Sequence, residues 1–229
     1  MVTPSLSRVE IADIALALFT ARGYDEVSAA DIARAAKISR STFFRQFGSK
    51  DDVIFADHDE VLRMVDDFFE QRITGEVEST DARDDVIEAA ELVFNHFISR
   101  LSSIRTRDRI VRATTKLRDR EIVTVTRYEK LFAAYLRRQL PGIRPIEAVQ
   151  FADVVAATHN YVLRELIRSD QTITVETLRR ELQILRQSSD QLHPQPTGSS
   201  VVAVFSPETP FATVRELVRQ ALEEQARPL

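Results

Sequence analysis

Apolar residues recur at three- and four-residue spacing along most of the chain, the period of an amphipathic helix. Ile11, Ile14, Ala15, Leu18 and Phe19 make the first such face, and Gly23 stops it. Ile32, Ala33, Ala35 and Ala36 mark a short second helix, and Arg40–Phe47 a third. Together with Tyr24, Val27, Ile38, Phe43 and Phe47 these residues are expected to close a three-helix core. A long fourth helix is predicted over 50–73, with Ile54, Val61, Leu62, Val65, Phe68 and Phe69 along its seam. Beyond a polar link at 74–83, the same period predicts helices over 84–100, 102–112, 116–140, 146–168 and 174–186.

The helix over 146–168 is unlike the others. Ala148, Ala152, Val155, Val162 and Leu166 line one face, and Val149, Phe151, Val154, Tyr161, Leu163 and Ile167 cover most of the rest. A helix apolar nearly all round is buried on more than one side. In this chain that points to both a core and a subunit interface, in which the helices containing Val155 and Leu182 are expected to pack against their mates, with Val155 itself on the shared surface. Residues 188–200, SSDQLHPQPTGSS, read as a linker by composition. After it, 201–205 (VVAVF) carries the strand signal, and 211–225 a last amphipathic helix.

Capping residues sharpen the N-terminal pattern. Ser28 stands three residues before Asp31, and Ser49 three before Asp52, a spacing that satisfies orphan N–H groups at a helix start. Ser39 is suited to cap the helix of 40–47, and Gly48 to end it. Two short helices joined by a tight break form a helix-turn-helix candidate, whose second helix enters a DNA major groove. Charge agrees. Residues 32–50 hold Arg34, Lys37, Arg40, Arg45 and Lys50 and no acid, in a chain of net charge −4. A basic island in an acidic chain is a footprint for phosphate, although a solvated surface helix pair has the same composition.

At these positions the chain resembles the TetR/AcrR, or tetracycline-repressor-like, transcriptional regulators. The resemblance rests on residues 11–19, Arg22-Gly23-Tyr24, Val27-Ser28, Asp31-Ile32-Ala33, Ala36, Ile38-Ser39, Thr42-Phe43-Phe44, Phe47 and Ser49-Lys50. It fades beyond about residue 60. It implies an all-α fold: a three-helix, helix-turn-helix DNA-binding domain over 1–50 and a helical ligand-binding and dimerisation domain over 51–187. Residues 188–229, the linker with its short strand and helix, depart from the usual all-helical pattern. The implied function is a one-component transcriptional regulator of the repressor type. It would bind a pseudo-palindromic operator in double-stranded DNA as a homodimer joined through its last two long helices. A small apolar or amphipathic effector would release it. The implied DNA-binding residues are Ser28, Arg40, Ser41, Thr42, Phe43, Arg45 and Lys50. Members often carry a tyrosine at 43 or 44 that grips phosphate. Both are phenylalanine here, so one ring is expected inside and the other against sugar or a thymine methyl.

Polar residues on apolar stripes are the candidates for ligand binding. His58, Tyr128 and His159 each fall on the buried face of a different long helix. Each is either satisfied by a local hydrogen bond or turned into a shared cavity, because an unpartnered buried polar group is costly. Tyr135 is in the same position as Tyr128, seven residues on. Asp57-His58-Asp59 looks like a metal cluster only in one dimension, since successive helical side chains point about 100° apart. Arg105, Arg107, Arg109 and Arg112 are read either as nucleic-acid contacts or as surface charges paired with nearby acids.

The remaining composition narrows the class. Cysteine is absent, which removes disulfides and thiolate metal sites. No apolar run approaches a membrane span and no leader pattern opens the chain, so a cytoplasmic protein without a membrane partner is expected. There is no Gly-rich phosphate loop, His-x-x-x-His pair or nucleophile elbow. Catalytic residues, metal and cofactor are therefore all expected to be none. The alternative to a DNA-binding regulator is a helical protein-interaction adaptor, which salt-dependent binding to duplex DNA would separate.

Overall fold

The computed structural model describes residues 6–78, 81–169 and 172–192. All regular structure among them is helical. Met1–Arg186 forms one compact unit and Gln187–Leu229 another, of which only the part before residue 193 is described. The expected strand at 201–205 and helix at 211–225 lie outside the described residues.

The N-terminal region consists of α1 (Arg8–Arg22), α2 (Ala29–Ala35), α3 (Arg40–Phe47) and α4 (Lys50–Val53). Serine caps start all of them. Ser7 and Glu10 form a capping box on α1, and Ser28 and Asp31 one on α2. Ser39 caps α3 by accepting from the Thr42 N–H at 3.0 Å, and Ser49 caps α4. Each such cap stabilises its helix by about 1 kcal/mol. Gly48 ends α3 at φ 77°, a conformation that glycine adopts without a Cβ clash. Ile11, Ala15, Phe19, Val27, Ile32, Phe43 and Phe47 form the core that the periodicity predicts.

That core does not stop at residue 50. Val53, Ile54, Phe55 and Ala56 belong to it, as do Val111 and Leu117 from later in the chain. The single helix expected over 50–73 is accordingly broken, with α5 starting afresh as Ala56–Ile73. Four consecutive buried residues cannot share one face of a straight helix, where neighbours point about 100° apart. At the break the Phe55 N–H bonds Asp52 O and the His58 N–H bonds Phe55 O, both three residues back.

The body is built from α5, α6 (Ala82–Ser99), α7 (Leu101–Ala113), α8 (Thr115–Gln139), α9 (Pro145–Arg168) and α10 (Val175–Leu192). Its core gathers Val61, Val65, Phe69, Val86, Phe94, Phe97, Phe132, Leu136, Val155 and Leu178, among others. The helices α8 and α9 pack along one another, and α6 lies against both. Tyr135 stacks on Phe69 with centroids 4.0 Å apart and donates its hydroxyl to Asp85 at 2.5 Å. Three of the four arginines of α7 are tied within the protein beyond their own turn or to an acid: Arg107 to Asp57, Arg112 to Asp108, and Arg105 to the Leu166 carbonyl, whereas Arg109 is exposed and bonds Thr106. No helix among the described residues is long and apolar enough to cross a membrane.

One expectation is corrected here. Val155, expected on the surface shared with the mate, is wholly buried inside the protomer, as is Leu182. The apolar side chains left exposed on α9 are Ile146, Val149, Val154 and Tyr161, and Ile184 is exposed on α10.

Candidate nucleic-acid interface and internal cavity

The α3 helix presents one side to the core and one to solvent. Phe43 and Phe47 are buried, with their rings 5.1 Å apart. Arg40, Ser41, Phe44 and Arg45 are exposed on the other side. The Arg40 guanidinium lies over the Phe44 ring at 5.6 Å. Of the two phenylalanines, Phe43 is the inner one at 0% exposure and has no surface to offer DNA, whereas Phe44 is 40% exposed. Phe43 therefore leaves the list of DNA-facing side chains. Thr42 is half-buried, its hydroxyl 2.8 Å from that of Ser39. Ser28 is exposed, and its hydroxyl donates to Asp31 at 2.5 Å. That bond holds the Asp31 carboxyl down at about 2.

Lys50 is more enclosed than a free surface cation. Its ammonium donates to the carbonyls of Tyr24 at 2.9 Å and Val27 at 3.1 Å and sits over the Tyr24 ring. The neighbouring Asp51 accepts from Tyr24 and pairs with Lys116 of α8 at 2.5 Å, and Asp52 pairs with Arg120. The short α4 thus ties the loop before α2 to the start of α8.

Inside the body, His58 from α5, Tyr128 from α8 and His159 from α9 line one cavity. The space open to the centres of water molecules is about 60 Å³, room for a few waters. Apolar side chains such as Val93, Phe97, Ile104, Phe132, Ala156 and Leu163 complete its wall. His58 Nδ1 and the Tyr128 hydroxyl lie 3.0 Å apart. His159 Nε2 is buried with no partner. Burial, reinforced by the charge of Arg107, lowers His58 to about 3. Burial lowers His159 to about 4. Both rings are therefore neutral near pH 7, each with one nitrogen to donate and one to accept. The two alternatives for these residues both occur. His58 and Tyr128 satisfy each other locally, and all three side chains share the same space.

The run Asp57-His58-Asp59 splays as helix geometry requires. Asp57 pairs with Arg107 of α7, 2.6 Å from each carboxylate oxygen. His58 meets Tyr128, and Asp59 bridges Arg8 of α1 and Arg127 of α8, each at 2.7 Å. Burial works against the Asp57 charge, but the surrounding cations, Arg107 first, outweigh it and keep the carboxyl below its ordinary range. Arg107 is the cavity residue that the sequence pattern left unassigned. Its signal was present: Ile104, Arg107 and Val111 follow three-four spacing, which puts an arginine on the apolar face of α7.

Residues 11–56 match the family of bacterial regulatory proteins called the tetR family. The chain is 32% identical over 133 residues to a protein of Mycobacterium tuberculosis assigned as the mycofactocin biosynthesis transcriptional regulator MftR. That match covers 58% of this chain and 65% of the relative. It is 37% identical over 71 residues to the HTH-type transcriptional regulator HbdR of Aromatoleum sp., covering 31% of this chain and 29% of the relative. The chain thus spans less than two thirds of the length of either curated relative. A crystal structure from Syntrophomonas wolfei, assigned to the TetR-family transcriptional regulators, shares the fold. It has a TM-score of 0.53 and 16% identity, covering 83% of this chain and 97% of that one. Residues 11–56 of this chain thus carry the N-terminal region of the tetR family of bacterial regulatory proteins, and the two curated relatives are named as transcriptional regulators.

Proposed function

We propose that this protein is a one-component transcriptional regulator that represses by binding duplex DNA as a homodimer. The observation that carries it is the exposed side of α3. Arg40, Ser41, Phe44 and Arg45 project together from a helix whose other face is locked into the head by Phe43 and Phe47. A rigid helix with cations and a small hydroxyl on its free face suits a major groove, where arginine reads guanine and phosphate contacts set the register. Thr42 and the helix starts at Ser28 and Ser39 are suited to the flanking phosphates. The exposed apolar residues Val149, Val154 and Tyr161 on α9, with Ile184 on α10, supply a surface for the second subunit. Two heads would then meet successive turns of a pseudo-palindromic site. The body, residues 51–187, would hold a small effector in the cavity between α5, α8 and α9, and release follows if the effector favours one spacing of the heads.

The test is selection of binding sites from random duplexes, then fluorescence anisotropy on the selected site across salt concentrations. Enrichment of an inverted repeat, with affinity falling steeply as salt rises, is expected. Absence of any enriched duplex, with binding indifferent to salt, rejects the regulator and leaves a protein-interaction adaptor.

A further inference from the structure

The cavity contains a cation used on only one side. Arg107 is 6% exposed and lines the space beside His58 and His159. It reaches Asp57 through Nη1 alone. Among the described residues, its Nε and Nη2 groups make no hydrogen bond. A guanidinium carries five N–H donors in a planar fork shaped for carboxylate. Its Cζ sits 5.3 Å from the Phe97 centroid, within reach of a cation–π contact.

His159 is a lining residue of the same cavity, and its Nε2 is buried without a hydrogen-bond partner. Leaving such a group unsatisfied is costly, and the rest of the wall is mainly apolar. The acids nearby do not fill the need. Asp108 is held by Arg112 at 2.9 Å and by Arg168 at 2.7 Å, and Glu121 is only half-buried. Of the charged residues that line the cavity, Arg107 and Arg164 stand against Asp108 and Glu121, and Arg107 alone among them is paired with Asp57 behind the wall.

We propose that the cavity takes a compact organic acid whose carboxylate binds the unused side of Arg107, in competition with Asp57, while its apolar body lies against Phe97, Phe132 and Leu163. This rests on the cavity being the effector site. The volume of about 60 Å³ falls well short of the roughly 150 Å³ that encloses a benzene ring, so it selects a two- or three-carbon acid. The competition also gives the ligand a lever. Asp57 is in the first turn of α5, directly after Phe55 and Ala56 of the head core. A carboxylate that draws Arg107 away loosens the tie between α7 and the base of the head.

The full-length protein is titrated with acetate and propionate, and with acetamide and propionamide, at pH 7 and constant ionic strength. Binding is read by calorimetry and by thermal unfolding. The acids are expected to bind at least about tenfold more tightly than the amides, the margin of a charge-assisted pair over a neutral one. No binding by either acid, or amides binding as well, overturns the proposal. In Asp57→Asn the fork is free, and acid binding is expected to tighten by about tenfold while restoring a lowered Tm. An unchanged or weakened affinity overturns it. Should that variant fail to fold, refolding yield in propionate against propionamide gives the same answer, and equal yields count against the acid. The double variant Asp57→Asn with Arg107→Gln removes both charges and is expected to lose the preference for acid over amide. Keeping the preference places the carboxylate elsewhere and overturns the proposal. Amides that release DNA while the acids do not bind overturn the acid and leave the effector site standing. Acids that bind and leave DNA attached reject the effector site alone.

Discussion

The Tyr128 hydroxyl oxygen lies 3.0 Å from Nδ1 of His58, joining α8 to α5 at a buried point seventy residues apart in sequence. The phenol has burial as the main reason to stay protonated, and its pKa is raised accordingly. Tyr128→Phe leaves the imidazole nitrogen buried and unpaired, at an expected cost of about 1–3 kcal/mol. His58→Phe should cost a similar amount for the converse reason. The double variant should cost clearly less than the two together, because no polar group is then stranded. Urea unfolding of the four proteins measures this coupling, and strict additivity would mean that the hydrogen bond contributes nothing.

Acid should destabilise the protein well before carboxylates titrate. His58 is lowered to about 3 and His159 to about 4 in the folded protein, in both cases first by burial. Unfolded, each returns to its ordinary value near 6.5. Between these values the unfolded chain binds more protons, so stability rises with pH there. The stabilisation is complete above about 6.5 and is lost as pH falls toward 4. His96, also lowered by burial, adds to the same trend. Each histidine contributes a slope of up to about 1.4 kcal/mol per pH unit. The difference in unfolding free energy between pH 7.5 and 5.5 should therefore shrink in His159→Leu. The ionised Asp57 is lowered instead, so its contribution is lost only below the ordinary carboxylate value and does not confuse the measurement.

Arg45 and Lys50 should behave differently although both stand among the implied DNA-binding residues. Arg45 is exposed on α3, and Arg45→Ala should flatten the salt slope of DNA binding by about one unit with Tm nearly unchanged. Lys50 bonds the carbonyls of Tyr24 and Val27, so Lys50→Ala should lower Tm as well as affinity. An unchanged Tm in Lys50→Ala would show that these carbonyl contacts do not hold the loop.

Which of these features the sequence disclosed follows from the range of the interaction. Caps at Ser28, Ser39 and Ser49 act on N–H groups three residues away, so they are readable locally. The inner and outer faces of α3 follow from period alone once the head core is known, except that adjacent Phe43 and Phe44 look alike. The break between α4 and α5 was hidden, because a seam counted from Ile54 runs smoothly through it. It becomes visible only when Val53 to Ala56 are all found buried. The Asp57–Arg107 pair spans fifty residues and leaves only a charged residue on an apolar stripe as its trace. Periodicity also could not say which side of α9 is internal, since Val154 and Val155 are equally apolar.

That last ambiguity becomes the sharpest test of the dimer. Val155 is 0% exposed, whereas Val154 and Tyr161 are 48% and 66% exposed. Val155→Asp buries an unpaired charge within the protomer and should destabilise it by several kcal/mol, about 3–5 when no partner is available. Its loss of DNA binding would then report unfolding rather than dissociation. Val154→Asp and Tyr161→Asp change side chains that face solvent in the isolated chain, so folding stability of the protomer should shift by no more than about 0.5 kcal/mol. In a dimer built on this face, the same charges would lie in an interface of at least about 1,000 Å² and would be unpaired there. Sedimentation velocity of the double variant Val154→Asp with Tyr161→Asp should therefore show a folded monomer, with helical circular dichroism retained. Its affinity for a two-headed operator should fall while a half-site is bound as before. If the double variant still sediments as a dimer, α9 and α10 are not the surface that joins the subunits.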